Sequence, residues 1–318
     1  MMRRGTRSRP DLCIETAARE RETIMYKMQD DPKKRYARYI ARLQKCTACG
    51  VVGGSPFAGT YRRYHYVDPS GAFAFPFRMR RAKRAKQPIV LFLPGGGCFG
   101  QDNCKPLAEL LMHTRKLMRK DCTILLPQTP YSGFVTENPW PDTLRRLCIW
   151  AAEQTQADTQ RIYVFGISYG AGQTWRNVFA FPEFYACAMP LMGSFLHPKA
   201  AQFLQSLPVG THISPDEMCR LNVWTADDVR VLRDTPIWAA HASDDTIVPV
   251  RYDDALVDAL RAAGANVRYT RWDRYGHKMA TRFLKTEPWD AWMFAQSLCS
   301  RPSRSDKQKT ERGKNNGL

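Results

Sequence analysis

The chain has 318 residues, is 44% hydrophobic and carries a formal net charge of +18 at pH 7. Such a length allows one large buried core with extensions, and the lack of any apolar run of about 18 residues argues against a transmembrane helix. Almost all of the excess positive charge sits in residues 1–45, 78–88 and 301–318, so the rest is close to neutral; without basic-aromatic interleaving or a nucleic-acid module, no specific nucleic-acid partner is expected.

In chain order, residues 1 to about 24 read as a polar leader without the apolar segment of a secretory signal, which points to the cytoplasm, and Met25 or Met28 offers an alternative start. Asp31 to Leu43 has the spacing of a short amphipathic helix. Residues 1–45 therefore form a basic extension, 46–299 an α/β domain and 300–318 a disordered basic tail. The ten cysteines are scattered, and Cys46-Thr47-Ala48-Cys49 is a lone C-x-x-C without a second pair or matched histidines. Inert thiols are expected there, with no metal site and no disulfide scaffold.

Thr60 to Val67 and Ala72 to Met79 read as two strands joined at Asp68-Pro69-Ser70-Gly71, an antiparallel hairpin at the sheet edge. Strands and helices then alternate, which predicts a mostly parallel, doubly wound sheet. The strands are expected at Ile89 to Leu93, Thr123 to Leu126, Arg161 to Phe165, Ala186 to Leu191, Ile237 to His241 and Val267 to Trp272, with helices near 105–119, 142–155, 168–180, 251–263 and 287–298. Residues 198–234 interrupt the alternation and are expected as a small cap-like insertion.

The chemistry centres on Gly166-Ile167-Ser168-Tyr169-Gly170, a G-x-S-x-G pattern between an apolar strand and a helix. In that setting the serine occupies a sharp, strained turn with its hydroxyl exposed. A serine hydroxyl needs a base to take its proton and a carboxylate to orient that base. Both follow in order after later strands: Asp244-Asp245 behind Ile237 to His241, and His277 behind Val267 to Trp272. By charge alone either aspartate serves; His241, ending an apolar strand, reads as a structural histidine. The strand ending at Leu93 runs into Pro94-Gly95-Gly96-Gly97, whose backbone N–H groups can approach a developing oxyanion, with Gly96 and Tyr169 as the expected donors. Phe99, Tyr131, Trp140, Trp175 and Trp224 are candidates for a pocket lining, with core packing the equal alternative.

From about residue 60 to 298 the chain resembles the α/β-hydrolase superfamily, and within it the bacterial esterases and predicted peptidases related to phospholipase/carboxylesterase and polyhydroxyalkanoate-depolymerase-type enzymes. The resemblance rests on Leu93 to Gly97 with Gly100-Gln101-Asp102-Asn103 behind it, Arg161 to Gly170, Pro236 to Pro249, and Ala265 to Thr270 followed by Gly276-His277. It selects Asp245 over Asp244. Pro94 stands where the group has a histidine, and Ala242 where it has a glycine. The resemblance implies a serine hydrolase with no cofactor, acting on a small-molecule carboxylic ester, with Ser168 as nucleophile, His277 as base and Asp245 as orienting acid. A peptidase with the same triad is the alternative, and a non-catalytic binding protein the competing class. The sequence leaves substrate-binding residues and oligomeric state open.

Overall fold

The computed structural model describes residues 50–55, 60–208, 211 and 213–301, with 31, 33, 34, 36 and 37 before them. The chain divides into two compact units, 1–49 and 50–318. In the first, Lys33, Lys34, Tyr36 and Ala37 are helical, which agrees with the expected helix there. The remainder of that helix, the Cys46/Cys49 pair, His212 and residues 302–318 lie outside the described residues.

The second unit is built on one nine-stranded sheet: β1 (Gly50–Ser55), β2 (Tyr61–Val67), β3 (Ala74–Arg80), β4 (Ile89–Leu93), β5 (Thr123–Pro127), β6 (Ile162–Ile167), β7 (Cys187–Leu191), β8 (Ile237–Ala242) and β9 (Val267–Trp272). Their spatial order is β1-β2-β3-β5-β4-β6-β7-β8-β9. Each neighbouring pair from β1 through β2 and β3 to β5 is antiparallel, and the six strands β5, β4, β6, β7, β8 and β9 are parallel. The helices are α1 (Lys105–His113), α2 (Phe134–Glu137), α3 (Trp140–Thr155), α4 (Tyr169–Ala180), α5 (Pro198–Ser206), α6 (Pro215–Leu221), α7 (Ala226–Val229), α8 (Arg251–Ala262), α9 (Met279–Thr286) and α10 (Trp289–Phe294). This is the α/β-hydrolase fold. Every residue of β4, β5, β6, β7 and β8 is buried, the mark of strands covered on both faces, and of the parallel strands only β9 at the margin is partly exposed.

One expectation needs correction. The β2–β3 hairpin is not the sheet edge, because β1 pairs outside it from Gly50↔Val67 to Ser55↔Arg63. The basic run 78–88 begins inside the fold. Arg78 and Arg80 are 2% and 8% exposed. Arg78 donates to the carbonyls of Asn103 and Tyr61, and Arg80 to those of Leu117, Lys120 and Cys122. Buried guanidinium groups are tolerated only when hydrogen-bonded in this way.

In the insertion, Trp224 stacks on Phe179 and Phe195 at 5.3 and 5.6 Å. α7 packs against α8, and Asp216 of α6 pairs with Arg251 at the start of α8. The register Leu93↔Gly166 sets the ends of β4 and β6 side by side, so the glycine loop and the G-x-S-x-G turn leave the sheet together.

Candidate active site

β6 runs straight into Ser168, whose φ of 55° and ψ of −117° no regular element shares, and α4 begins at the next residue. A positive φ is costly for any residue with a Cβ. Here it is held by hydrogen bonds from Ser168 N to Leu191 O (2.9 Å) and to Ser168 O from Ala171 N and Gly172 N (2.9 and 3.2 Å). The flanking glycines let strand and helix meet. A Cβ on Gly166 would lie 2.2 Å from Gly170 O, and one on Gly170 would lie 1.9 Å from Leu93 O. Both obstacles are backbone. Gly170→Ala is therefore expected to destabilise the fold by at least about 3 kcal/mol, read as a lowered urea midpoint; a change under about 1 kcal/mol would mean that α4 and β4 can part freely.

Three distant side chains converge on this turn. Ser168 Oγ lies 2.7 Å from His277 Nε2, and His277 Nδ1 lies 2.7 Å from Asp245 Oδ2. Asp245 Oδ1 accepts from the amides of Ile247 and Val248, both at 2.9 Å. Burial works against the Asp245 charge, but bonds from His241, Val248, His277 and Ile247 outweigh it and hold the carboxyl well below the usual range. Asp244 faces elsewhere: its carboxylate accepts from Gly276 N at 2.7 Å and so ties down the loop that carries His277. Tyr275 and Gly276 in that loop have φ of 101° and 49°. Ala242 is not among the residues with positive φ, so no glycine is required at that position.

Behind Asp245 lies a second histidine with no side-chain exposure. His241 Nδ1 is 2.7 Å from Asp253 Oδ2, and its Nε2 is 3.0 Å from Val248 O and 3.2 Å from Asp245 Oδ2. Trp175 Nε1 donates to the other Asp253 oxygen at 3.2 Å.

The glycine loop is anchored from several sides. Pro94 has no N–H to offer, and Gly95 N already donates to Glu109 Oε2 at 2.9 Å. Gly96 is thus the first amide of the loop without a hydrogen bond to a described residue, and Tyr169 N is in the same condition. The two residues are neighbours, since a Cβ on Gly96 would lie 3.9 Å from Tyr169 Cβ. Gln128 donates to Cys98 O (2.9 Å) and Asp102 (3.1 Å), while Asn103 donates to Tyr64 O and Phe77 O of the sheet at 3.1 and 3.0 Å. Asp102 Oδ1 accepts from Cys104 N, just before α1, and from Lys105 N, its first amide. The Gly100 to Asn103 stretch therefore braces the loop. The sequence reading missed Glu109; its only signal was one acidic residue on the apolar α1 that follows this loop.

Of the five aromatic candidates, Trp140 and Trp175 are 1% and 0% exposed and belong to the core, and Trp224 is held in its stack. Phe99 packs edge-on at 4.8 Å against Tyr169, the residue that follows Ser168, and Tyr169 Oη donates to Ser132 O at 2.9 Å. Tyr131 hydrogen-bonds Glu137 at 2.6 Å. Ile247, 69% exposed, stands on the loop that carries Asp245. Among the described residues no helix is long and apolar enough to cross a membrane.

The chain is similar to several solved structures. A thermostable esterase superposes with a TM-score of 0.59 at 25% identity, over 75% of this chain and 63% of the other. The acylaminoacyl peptidase of Pyrococcus horikoshii gives 0.52 at 15%, over 76% and 42%, and an S-formylglutathione hydrolase from Agrobacterium tumefaciens 0.54 at 15%, over 78% and 99%. The chain thus spans less than two thirds of the esterase and of the peptidase. No curated protein matches it. Residues 137–296, half of the sequence and including Ser168, Asp245 and His277, match the model of the prolyl oligopeptidase family, and the chain belongs to that family.

Proposed function

We propose that the protein is a serine hydrolase that cleaves carboxylic esters through an acyl-enzyme. The observation that carries this is the unbroken relay from Ser168 Oγ to His277 Nε2 and from His277 Nδ1 to Asp245, each step 2.7 Å. Ser168 Oγ attacks the acyl carbonyl as its proton passes to His277 Nε2, and Asp245 holds the imidazole with Nδ1–H toward the carboxylate. Negative charge then gathers on the carbonyl oxygen, where the N–H groups of Gly96 and Tyr169 receive it. Collapse of the tetrahedral adduct expels the alcohol, which takes the proton from His277. Water, deprotonated by the same nitrogen, attacks the acyl-serine and releases the acid and the free hydroxyl.

An acyl-peptide substrate is the second reading, because the family match and the P. horikoshii neighbour both bear peptidase names and the triad chemistry is the same. The ester reading is favoured by the likeness to the thermostable esterase, at 25% identity. A cytoplasmic setting, a cap role for residues 198–234 and the division into extension, domain and tail belong to the same proposal and rest on the sequence.

A p-nitrophenyl ester series from acetate to decanoate, run beside an N-acetylated dipeptide, tests it. Ester turnover with the acetyl dipeptide left intact is the expected outcome. Cleavage of the dipeptide would move the assignment to peptidase, and no turnover of either would favour a binding protein.

A further inference from the structure

We propose that His241 is a positioning residue for this reaction: an imidazolium clamped between Asp245 and Asp253, it fixes the Asp245 carboxylate against His277 and tempers that carboxylate's pull on the His277 proton. The inference rests on the serine-hydrolase reading above.

Proton accounting on the ring supports it. Nε2 faces only acceptors, Val248 O at 3.0 Å and Asp245 Oδ2 at 3.2 Å, and must carry a hydrogen. Nδ1 faces Asp253 Oδ2 at 2.7 Å, and the other Asp253 oxygen is taken by Trp175 Nε1–H. The side chains of His241 and Asp253 are 0% and 1% exposed, so a bare carboxylate there would be an uncompensated buried charge. Burial pushes the His241 pKa down, but the bonds to Asp245 and Asp253 overrule it and raise the pKa to about 10. The cation is thus retained at neutral pH.

The other groups nearby do not replace it. From α8, Asp254 accepts from Tyr269 Oη at 2.8 Å and pairs with Arg271 at 3.1 Å, both of β9. His241 and His277 share one acceptor oxygen, Asp245 Oδ2, at 3.2 and 2.7 Å. A cation at one contact weakens the hold of that oxygen on a proton at the other, and keeps the carboxylate from rotating.

The test is the pH dependence of kcat/KM in His241→Gln, which keeps an N–H toward Asp245 but removes the charge. The acid limb, which reports protonation of the base, is expected to move to higher pH by about one unit. Because Asp253 would be left unpaired, His241→Gln/Asp253→Asn gives a neutral amide pair, and its limb is expected to shift in the same direction by a smaller amount. A folded variant with lowered kcat and an unmoved limb would reduce His241 to a structural role and overturn the proposal. Should neither variant fold, the wild-type protein decides: 15N-histidine spectra at pH 8 are expected to show His241 protonated on both ring nitrogens, and a neutral ring would overturn the proposal. Loss of all Ser168-dependent turnover in the wild type would instead sink the hydrolase reading and leave the spectra to judge the imidazolium.

Discussion

Ser168→Ala is expected to lower kcat for ester hydrolysis by about 10⁶-fold, leaving only what the oxyanion donors and binding supply. The serine side chain makes a single described hydrogen bond, to His277 Nε2, and alanine carries the same Cβ through the positive-φ turn. The variant should therefore keep the wild-type urea midpoint while losing turnover, which separates chemistry from folding. A loss of less than about 100-fold would mean that another group supplies the nucleophile.

Asp245→Asn is expected to cost about 10⁴-fold in kcat, for a reason visible in the bonds around the carboxylate. Oδ1 accepts from two backbone amides, Ile247 and Val248, so the asparagine oxygen stays there. Its NH₂ group then takes the place of Oδ2, facing His277 Nδ1 and His241 Nε2. A donor opposite Nδ1 favours the tautomer with the hydrogen on Nε2, which can no longer accept from Ser168. The same NH₂ opposes the Nε2–H of His241, so folding stability should fall as well. Retained activity with a lowered urea midpoint would show that the carboxylate serves the fold rather than the base.

Much of the sheet could be read from the residues, because β4, β6 and β8 are short apolar runs punctuated by glycine, proline and aspartate. β1 could not: Gly-Val-Val-Gly-Gly-Ser has neither alternation nor bulk, and only its pairing with β2 makes it a strand. α9 was missed since it starts directly behind the His277 turn with Lys278 at its N-cap and no side-chain cap bond. The expected helix at 105–119 ends at His113, where Thr114 turns extended at φ −154°, and resumes as a 3-10 turn over Lys116–Arg119. At the site, the order serine, aspartate, histidine was legible, as was the glycine loop. The division of labour between the two adjacent aspartates was settled in the sequence only by resemblance; in space one meets an imidazole and the other an amide. The braces of the loop, Glu109 and Gln128, and the double engagement of His241 arise from residues far apart in the chain, and no local pattern encodes them.

The most direct measurement of the central claim is the mass of the wild-type protein after reaction with a fluorophosphonate, followed by peptide mapping. One adduct on Ser168 is the expected result. An adduct elsewhere, on Cys98 for example, or none at all while ester turnover persists, would contradict the assignment of Ser168 as nucleophile.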